Sequence, residues 1–157
     1  MSFEVKFTEE NKKEELSAYL KAITEGESDL IANLSNASSV IKLAYEKTNW
    51  VGFYLYKDNE LVLGPFQGKP ACIRIPLKKG VCGTAAFEKK TILVPNVHEF
   101  PGHIACDSAS NSEIVIPLLK NGELFGVLDM DSPELYFFNL KDQEILEAAA
   151  KTIESFI

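Results

Sequence analysis

Cys106 stands in the run PGHIACDSASNSE, among glycine, proline, serine and asparagine, residues that mark where regular structure stops. A thiol in such a loop is set up to react. Its reactive form is the thiolate, and reactivity follows exposure and stabilisation of that charge. His103, three residues earlier, can relay a proton. Asp107 and Glu113 oppose the thiolate, because neighbouring carboxylates raise a thiol's pKa. A cysteine crowded by acids makes a poor protease nucleophile. It suits a reaction that needs protons delivered, such as reduction of an oxidised atom. Cys72 and Cys82 supply two further thiols, and a sulfenic acid on one cysteine condenses with a neighbouring thiol to a disulfide. A bond between Cys72 and Cys106 would close a loop of about 35 residues, worth about 4 kcal/mol by chain entropy.

A second group of reactive residues lies in VLDMDSP. In a strand, residues i and i+2 project from one face, so Asp129 and Asp131 point the same way. Asn121–Gly122 is a type I′ hairpin signature and pairs this strand with the one before it. Counting outward from that turn, Lys120 meets Glu123, which puts Glu113 opposite position 130, beside both aspartates. Three carboxylates then gather at the hairpin's open end, directly after the Cys106 loop. Clustered acids bind an ammonium group or share a proton at raised pKa. Acids alone would hold Mg²⁺ or Ca²⁺ only weakly, and no other residue asks for a metal or a cofactor. Trp50 and Tyr54 are four apart in NWVGFYLYK, on one face of a strand. They can wall a small pocket around a methyl or thioether group, since sulfur packs well on aromatic rings.

The elements that must hold these residues follow from pattern. Helical spacing of apolar residues predicts a helix from Glu9 to Ile23 with Thr8 as N-cap, and a second from Asp29 to Tyr45 with Ser28 as cap. The chain then turns aromatic and β-branched. Asn49 to Lys57 and ELVLGPF form a hairpin across DNE, and Ala71 to Pro76 forms a third strand. Gly80 and Gly83 flank a segment that opens a helix at Thr84. Ile92 to Val94 is a short strand. His98 to Pro117 holds a loop of about fifteen residues, a length that is usually functional in a compact domain. Glu113 to Leu119 and Leu124 to Met130 form the second hairpin, and Lys141 to Phe156 is an amphipathic helix. The order implies an α+β fold, an antiparallel sheet with helices mostly on one face. It reads as one domain over residues 1–157.

Bulk properties narrow the function. The net charge is −7 with a single arginine, Arg74, which argues against a polyanionic partner such as nucleic acid. Apolar runs fall far short of the roughly 20 residues that cross a bilayer. The N-terminal residues lack the basic-then-apolar pattern of a secretory signal. The expectation is a cytoplasmic protein whose thiols rest reduced.

NWVGFYLY, GVCGTAA, FPGHIACDSASNSEIVIPL and GVLDMDSP, in that order, resemble the free methionine-(R)-sulfoxide reductases, a catalytic branch of the GAF-domain fold. The similarity runs from about Asn49 to the C-terminus. It implies a GAF-like antiparallel sheet flanked by N-terminal and C-terminal helices. It also implies reduction of free methionine-R-sulfoxide, with thioredoxin restoring the thiols, and it is compatible with a homodimer. By this resemblance Cys106 is the nucleophile. Cys72 is the usual resolving cysteine and Cys82 another redox-active thiol. Glu113, Asp129 and Asp131 hold the sulfoxide oxygen and the ammonium group, and Trp50 and Tyr54 enclose the methyl group. The rival readings are a GAF module that binds a small ligand without chemistry, and a thiol redox sensor.

Overall fold

The computed structural model describes residues 5–104 and 106–157. Two helices, α1 (Lys12–Thr24) and α2 (Leu30–Ala44), precede a hairpin of β1 (Trp50–Lys57) and β2 (Glu60–Gln67). The short strand β3 (Arg74–Pro76), helix α3 (Gly80–Glu88) and strand β4 (Ile92–Val94) follow. A 3₁₀ turn at Val97–Glu99 opens the long loop. The second hairpin is β5 (Ser112–Lys120) and β6 (Glu123–Ser132), and α4 (Leu140–Glu154) closes the chain. The six strands form one antiparallel sheet in the order β3-β2-β1-β6-β5-β4. The expected α+β architecture is present.

Local chemistry moves several boundaries from where the pattern placed them. Asp29, not Ser28, caps α2, accepting from the Ala32 N–H at 2.8 Å. Thr8 lies outside α1. Its hydroxyl accepts from Asn11 N and its own N–H donates to Glu15, so residues 9–11 form a turn and the helix starts at Lys12. The third strand is shorter than expected, Arg74–Pro76, although Ile73 O still accepts from Leu63 N of β2 at 2.9 Å. Helix α3 begins at Gly80, four residues before Thr84. Gly80 takes a positive φ of 61°, and the helical bond from Gly83 N to Lys79 O forms at 3.0 Å.

The sheet separates two cores by strict alternation. Val51, Phe53 and Leu55 of β1, Ile114, Ile116 and Leu118 of β5, and Leu128 and Met130 of β6 face α1, α2 and α4. Trp50 and Tyr54, Val115, and Val127 face the other way, against α3 and β3. Every functional side chain singled out on a strand lies on this second face.

One residue decides that placement. The hairpin register is regular from Lys120↔Glu123 to Leu119↔Leu124, then shifts, so that Leu118 meets Gly126 and Glu113 meets Asp131. Phe125 is the extra residue of a β-bulge. The counted register, with Glu113 opposite Met130, is therefore wrong by one. Directly opposed residues share a face, so that register would have aimed Glu113 into the helical core beside Met130. The bulge turns it onto the face of Asp129 and Asp131. Gly126 permits this turn. A Cβ there would lie 2.3 Å from the Tyr54 carbonyl oxygen. Gly126→Ala is expected to destabilise the fold by about 1–3 kcal/mol through that backbone clash, read as a lowered midpoint in urea with an unchanged m-value.

Candidate active site

Strands β1 and β6 place the site floor. Trp50 opposes Asp131, Gly52 opposes Asp129 and Tyr54 opposes Val127. Gly52 lets the Phe66 and Trp50 side chains close in on β1, since a Cβ there would lie 2.3 Å from Phe66 Cβ and 2.7 Å from the Trp50 ring. The Trp50 ring stacks between Tyr54, 5.8 Å between centroids, and Phe66, at 5.2 Å. Both expected wall aromatics are therefore together. Phe66, on the partner strand of the same hairpin, stacks against the outer side of Trp50. Hydrogen bonds fix the two rings: Trp50 Nε1 donates to Lys69 O at 3.1 Å and Tyr54 Oη to Cys72 O at 2.9 Å.

Glu113, Asp129 and Asp131 meet at one end of the cavity. Burial pushes the Glu113 carboxyl well above the usual carboxylate range, and Asp129 and then Asp131 push it further. Asp131 is raised well above its ordinary value by burial and by Asp129. Asp129 is also raised by burial, though hydrogen bonds with Glu113 and Cys82 favour its ionised form. Three acids this close cannot all carry charge, so the cluster stores at least one proton. Asp129 Oδ1 is fully buried and has no hydrogen-bond partner among the described residues, which leaves an acceptor for a ligand.

The three cysteines separate into a pair and a single. Cys72 and Cys106 form a disulfide, with Cα atoms 5.7 Å apart. Cys106 lines the cavity that also holds the acids and the aromatic wall. Cys82 is free and buried beneath the same cavity. Burial, with Asp129 and Glu113 beside it, raises the Cys82 thiol well above its ordinary value, so it stays protonated. Its sulfur and one oxygen each of Glu113 and Asp129 lie within 4.8 Å of one another.

The C-terminal half of the long loop is tied down. Asn49 Nδ2 donates to Asp107 Oδ2 and to Ser110 Oγ, each at 3.0 Å, and the Ala109 N–H donates to Asp107 Oδ1 at 2.9 Å. The Ala109 bond, then Asn49 and Lys69, hold Asp107 below the usual carboxylate range. Asp107, next to the thiol in sequence, thus serves as the loop's tether. His103 Nε2 lies 3.8 Å from Glu113 Oε1. Burial lowers the His103 pKa while Glu113 is raised, so the contact is between neutral groups rather than an ion pair.

Helix α3 contributes what the sequence pattern did not reveal. The N–H groups of Gly80, Val81 and Cys82, at its first turn, have no acceptor among the described residues, and no side chain caps them. All three residues line the cavity. Free N–H groups at a helix start attract an anion. The signal was GVCG with no Ser, Thr, Asp or Asn at Lys79, an uncapped start. The space so bounded is about 520 Å³ when the open solvent at its mouth is counted, and about 40 Å³ of it admits the centre of a water molecule. It offers a sulfur, proton-bearing acids, an apolar wall, a buried anionic acceptor and a cluster of backbone donors.

Residues 29–157 match the GAF domain. A free methionine-R-sulfoxide reductase of Saccharomyces cerevisiae is 47% identical over 148 residues, 89% of this chain and 82% of the relative. One from Escherichia coli is 44% identical over 143 residues, 91% of this chain and 87% of the relative. The crystal structure of the Neisseria meningitidis free methionine-R-sulfoxide reductase, in complex with its substrate, superposes with a TM-score of 0.92 at 41% identity, covering 99% of this chain and 95% of that one. The chain belongs to the GAF domain family and, within it, to the free methionine-R-sulfoxide reductases.

The raised acids carry a stability consequence. A carboxyl whose folded pKa lies above its unfolded value makes the folded state bind more protons, so stability falls as pH rises through and above the unfolded value of about 4.3. Glu113→Gln removes that cost. The variant is expected to be more stable than the parent at pH 7 and to lose most of that advantage at pH 4, measured by urea unfolding at both.

Proposed function

We propose that this chain reduces free L-methionine-(R)-sulfoxide to methionine. The observation that carries the reading is the meeting, in one cavity, of the Cys106 sulfur with a buried acid cluster that stores a proton. In the reduced enzyme the Cys106 thiolate attacks the sulfoxide sulfur. Glu113 and Asp131, at least one of them protonated, donate to the oxygen and help it leave as water. Water returning to the Cys106 sulfur releases methionine and leaves a sulfenic acid. The net change is oxygen transfer from substrate sulfur to Cys106. Cys72 then attacks Cys106, a water departs, and the Cys72–Cys106 bond present in the structure is formed. Cys82 remains the third redox-capable thiol, held protonated in this form beside Asp129.

The remaining features support a free amino acid as substrate. The unpartnered Asp129 Oδ1 suits the ammonium group, and the α3 N–H groups suit the carboxylate. Methionine sulfoxide inside a peptide has neither charge. Trp50 and Tyr54 enclose the methyl group. Thioredoxin as reductant, a homodimer, a cytoplasmic setting and a single domain over residues 1–157 belong to the same proposal. No helix among the described residues is long and apolar enough to cross a membrane.

The test is thiol-dependent reduction of the separate R and S epimers of free methionine sulfoxide, with a methionine-sulfoxide peptide as control. Turnover of the free R epimer alone is expected. No turnover would leave a ligand-binding GAF module, and peroxide-driven disulfide formation without epimer preference would leave a redox sensor. Cys106→Ser is expected to abolish methionine release, whereas Cys72→Ser releases about one methionine per site in a single turnover with no reductant, because the nucleophile is intact and only its resolution is lost. Glu113→Gln is expected to slow the reductive step by about 10²-fold or more, measured as single-turnover methionine formation.

A further inference from the structure

Cys72, one half of the Cys72–Cys106 bond, lies in a basic stretch of an acidic chain, whereas Cys106 is followed by Asp107. From Leu61 to Phe87 the sequence contains no Asp or Glu, although the whole chain carries a net charge of −7. Lys69, Arg74, Lys78 and Lys79 fall within that stretch, and all four are exposed. Two isoleucines flank the bond. Ile73 follows Cys72 and is 68% exposed, and Ile104, two residues before Cys106, is 37% exposed. Cys106 itself is exposed, while Cys72 is half-buried. Single exposed apolar residues are ordinary on a protein surface. Two of them adjoining the half-cystines of an accessible disulfide, with exposed Lys69, Lys78 and Lys79 near Cys72 in the chain, form a surface with a use.

We propose that Ile73 and Ile104, rimmed by Lys69, Lys78 and Lys79, are the docking surface for a protein dithiol with an acidic flank that reopens the Cys72–Cys106 bond. The proposal rests on the reductase reading above. A protein cannot enter so small a cavity, so it must reach the disulfide at the cavity's mouth, where exposed Ile73 and the partly exposed, cavity-lining Ile104 supply apolar contact and the lysines steer an acidic partner. One thiolate of the partner attacks Cys106 Sγ. The Cys72–Cys106 bond breaks, and its electron pair leaves on Cys72, which takes up a proton. The partner's second thiol attacks the partner sulfur of the mixed disulfide, Cys106 leaves and is protonated, and the partner departs as a disulfide. Two electrons pass to the chain, and no other reductant is needed.

The experiment compares two reductants on the full chain: thioredoxin kept reduced by its reductase and NADPH, and dithiothreitol, which is too small to need a docking surface. Ile73→Glu and Lys78→Glu alter residues outside the cavity. Each is expected to lower kcat/KM for thioredoxin, Ile73→Glu by about tenfold or more and Lys78→Glu by a few-fold, with the dithiothreitol rate unchanged. Raising salt is expected to slow the thioredoxin reaction of the parent and leave the dithiothreitol reaction flat. Unchanged kcat/KM for thioredoxin in both variants would overturn the surface. Should Ile73→Glu slow both reductants alike, the salt series decides, and a flat thioredoxin response overturns it. A thioredoxin whose second thiol is replaced by serine is expected to be captured on Cys106, and capture on Cys72 overturns the direction of attack. Absence of dithiothreitol turnover in the parent would sink the reductase reading itself, and this inference with it.

Discussion

Three carboxyl groups forced into one dry corner are the constraint on which the rest of the structure depends. Taking an ionised carboxylate out of water is costly, and placing a second beside it costs more, so the corner keeps a proton that water would have removed. The fold arranges this with two strands and one irregularity. Asp129 and Asp131 share a face by the ordinary pleat of β6, and the Phe125 bulge brings Glu113 round to join them. Without the bulge the same three residues would be split across the sheet. Bulges are over-represented beside active sites because they re-aim a side chain, and this one re-aims the central acid.

The remaining parts read as consequences of housing that corner. Gly52 gives the Phe66 and Trp50 side chains room to stack, and the Trp50, Tyr54 and Phe66 rings close one wall. Helix α3 starts without a cap, so its first N–H groups face the cavity rather than a side chain of their own. The cavity is therefore bipolar, acidic and proton-bearing on one side and rich in N–H donors on the other. A small zwitterion matches that division. Against this, Asp107 stands apart from the buried cluster. It is ionised, near the surface, and spent on holding the loop that carries Cys106.

Much of this was legible in the sequence. The order of strands and helices followed from period and turn residues, and the Asn121–Gly122 turn fixed the second hairpin. The pairing of Trp50 with Tyr54 followed from alternation alone. The bulge was not legible, because nothing in LFGVL announces an extra residue except Gly126, and a glycine in a strand has several explanations. The trio of acids was thus expected at the right end of the hairpin for a register that would have split it. The start of α3 was missed for a related reason: two glycines read as a loop, whereas Gly80 supplies a positive φ at the first helical position. The tether through Asn49 has no sequence signature, since it depends on residues far apart in the chain meeting in space.

The central claim is that the corner formed by Glu113, Asp129 and Asp131 holds a proton at neutral pH. Infrared difference spectroscopy of the parent against Glu113→Gln tests it most directly, because a protonated carboxyl has a carbonyl stretch distinct from that of a carboxylate. The account predicts a protonated-carboxyl band at neutral pH that disappears in the variant. A parent spectrum with only carboxylate bands at neutral pH, the protonated band emerging solely in acid, would contradict it.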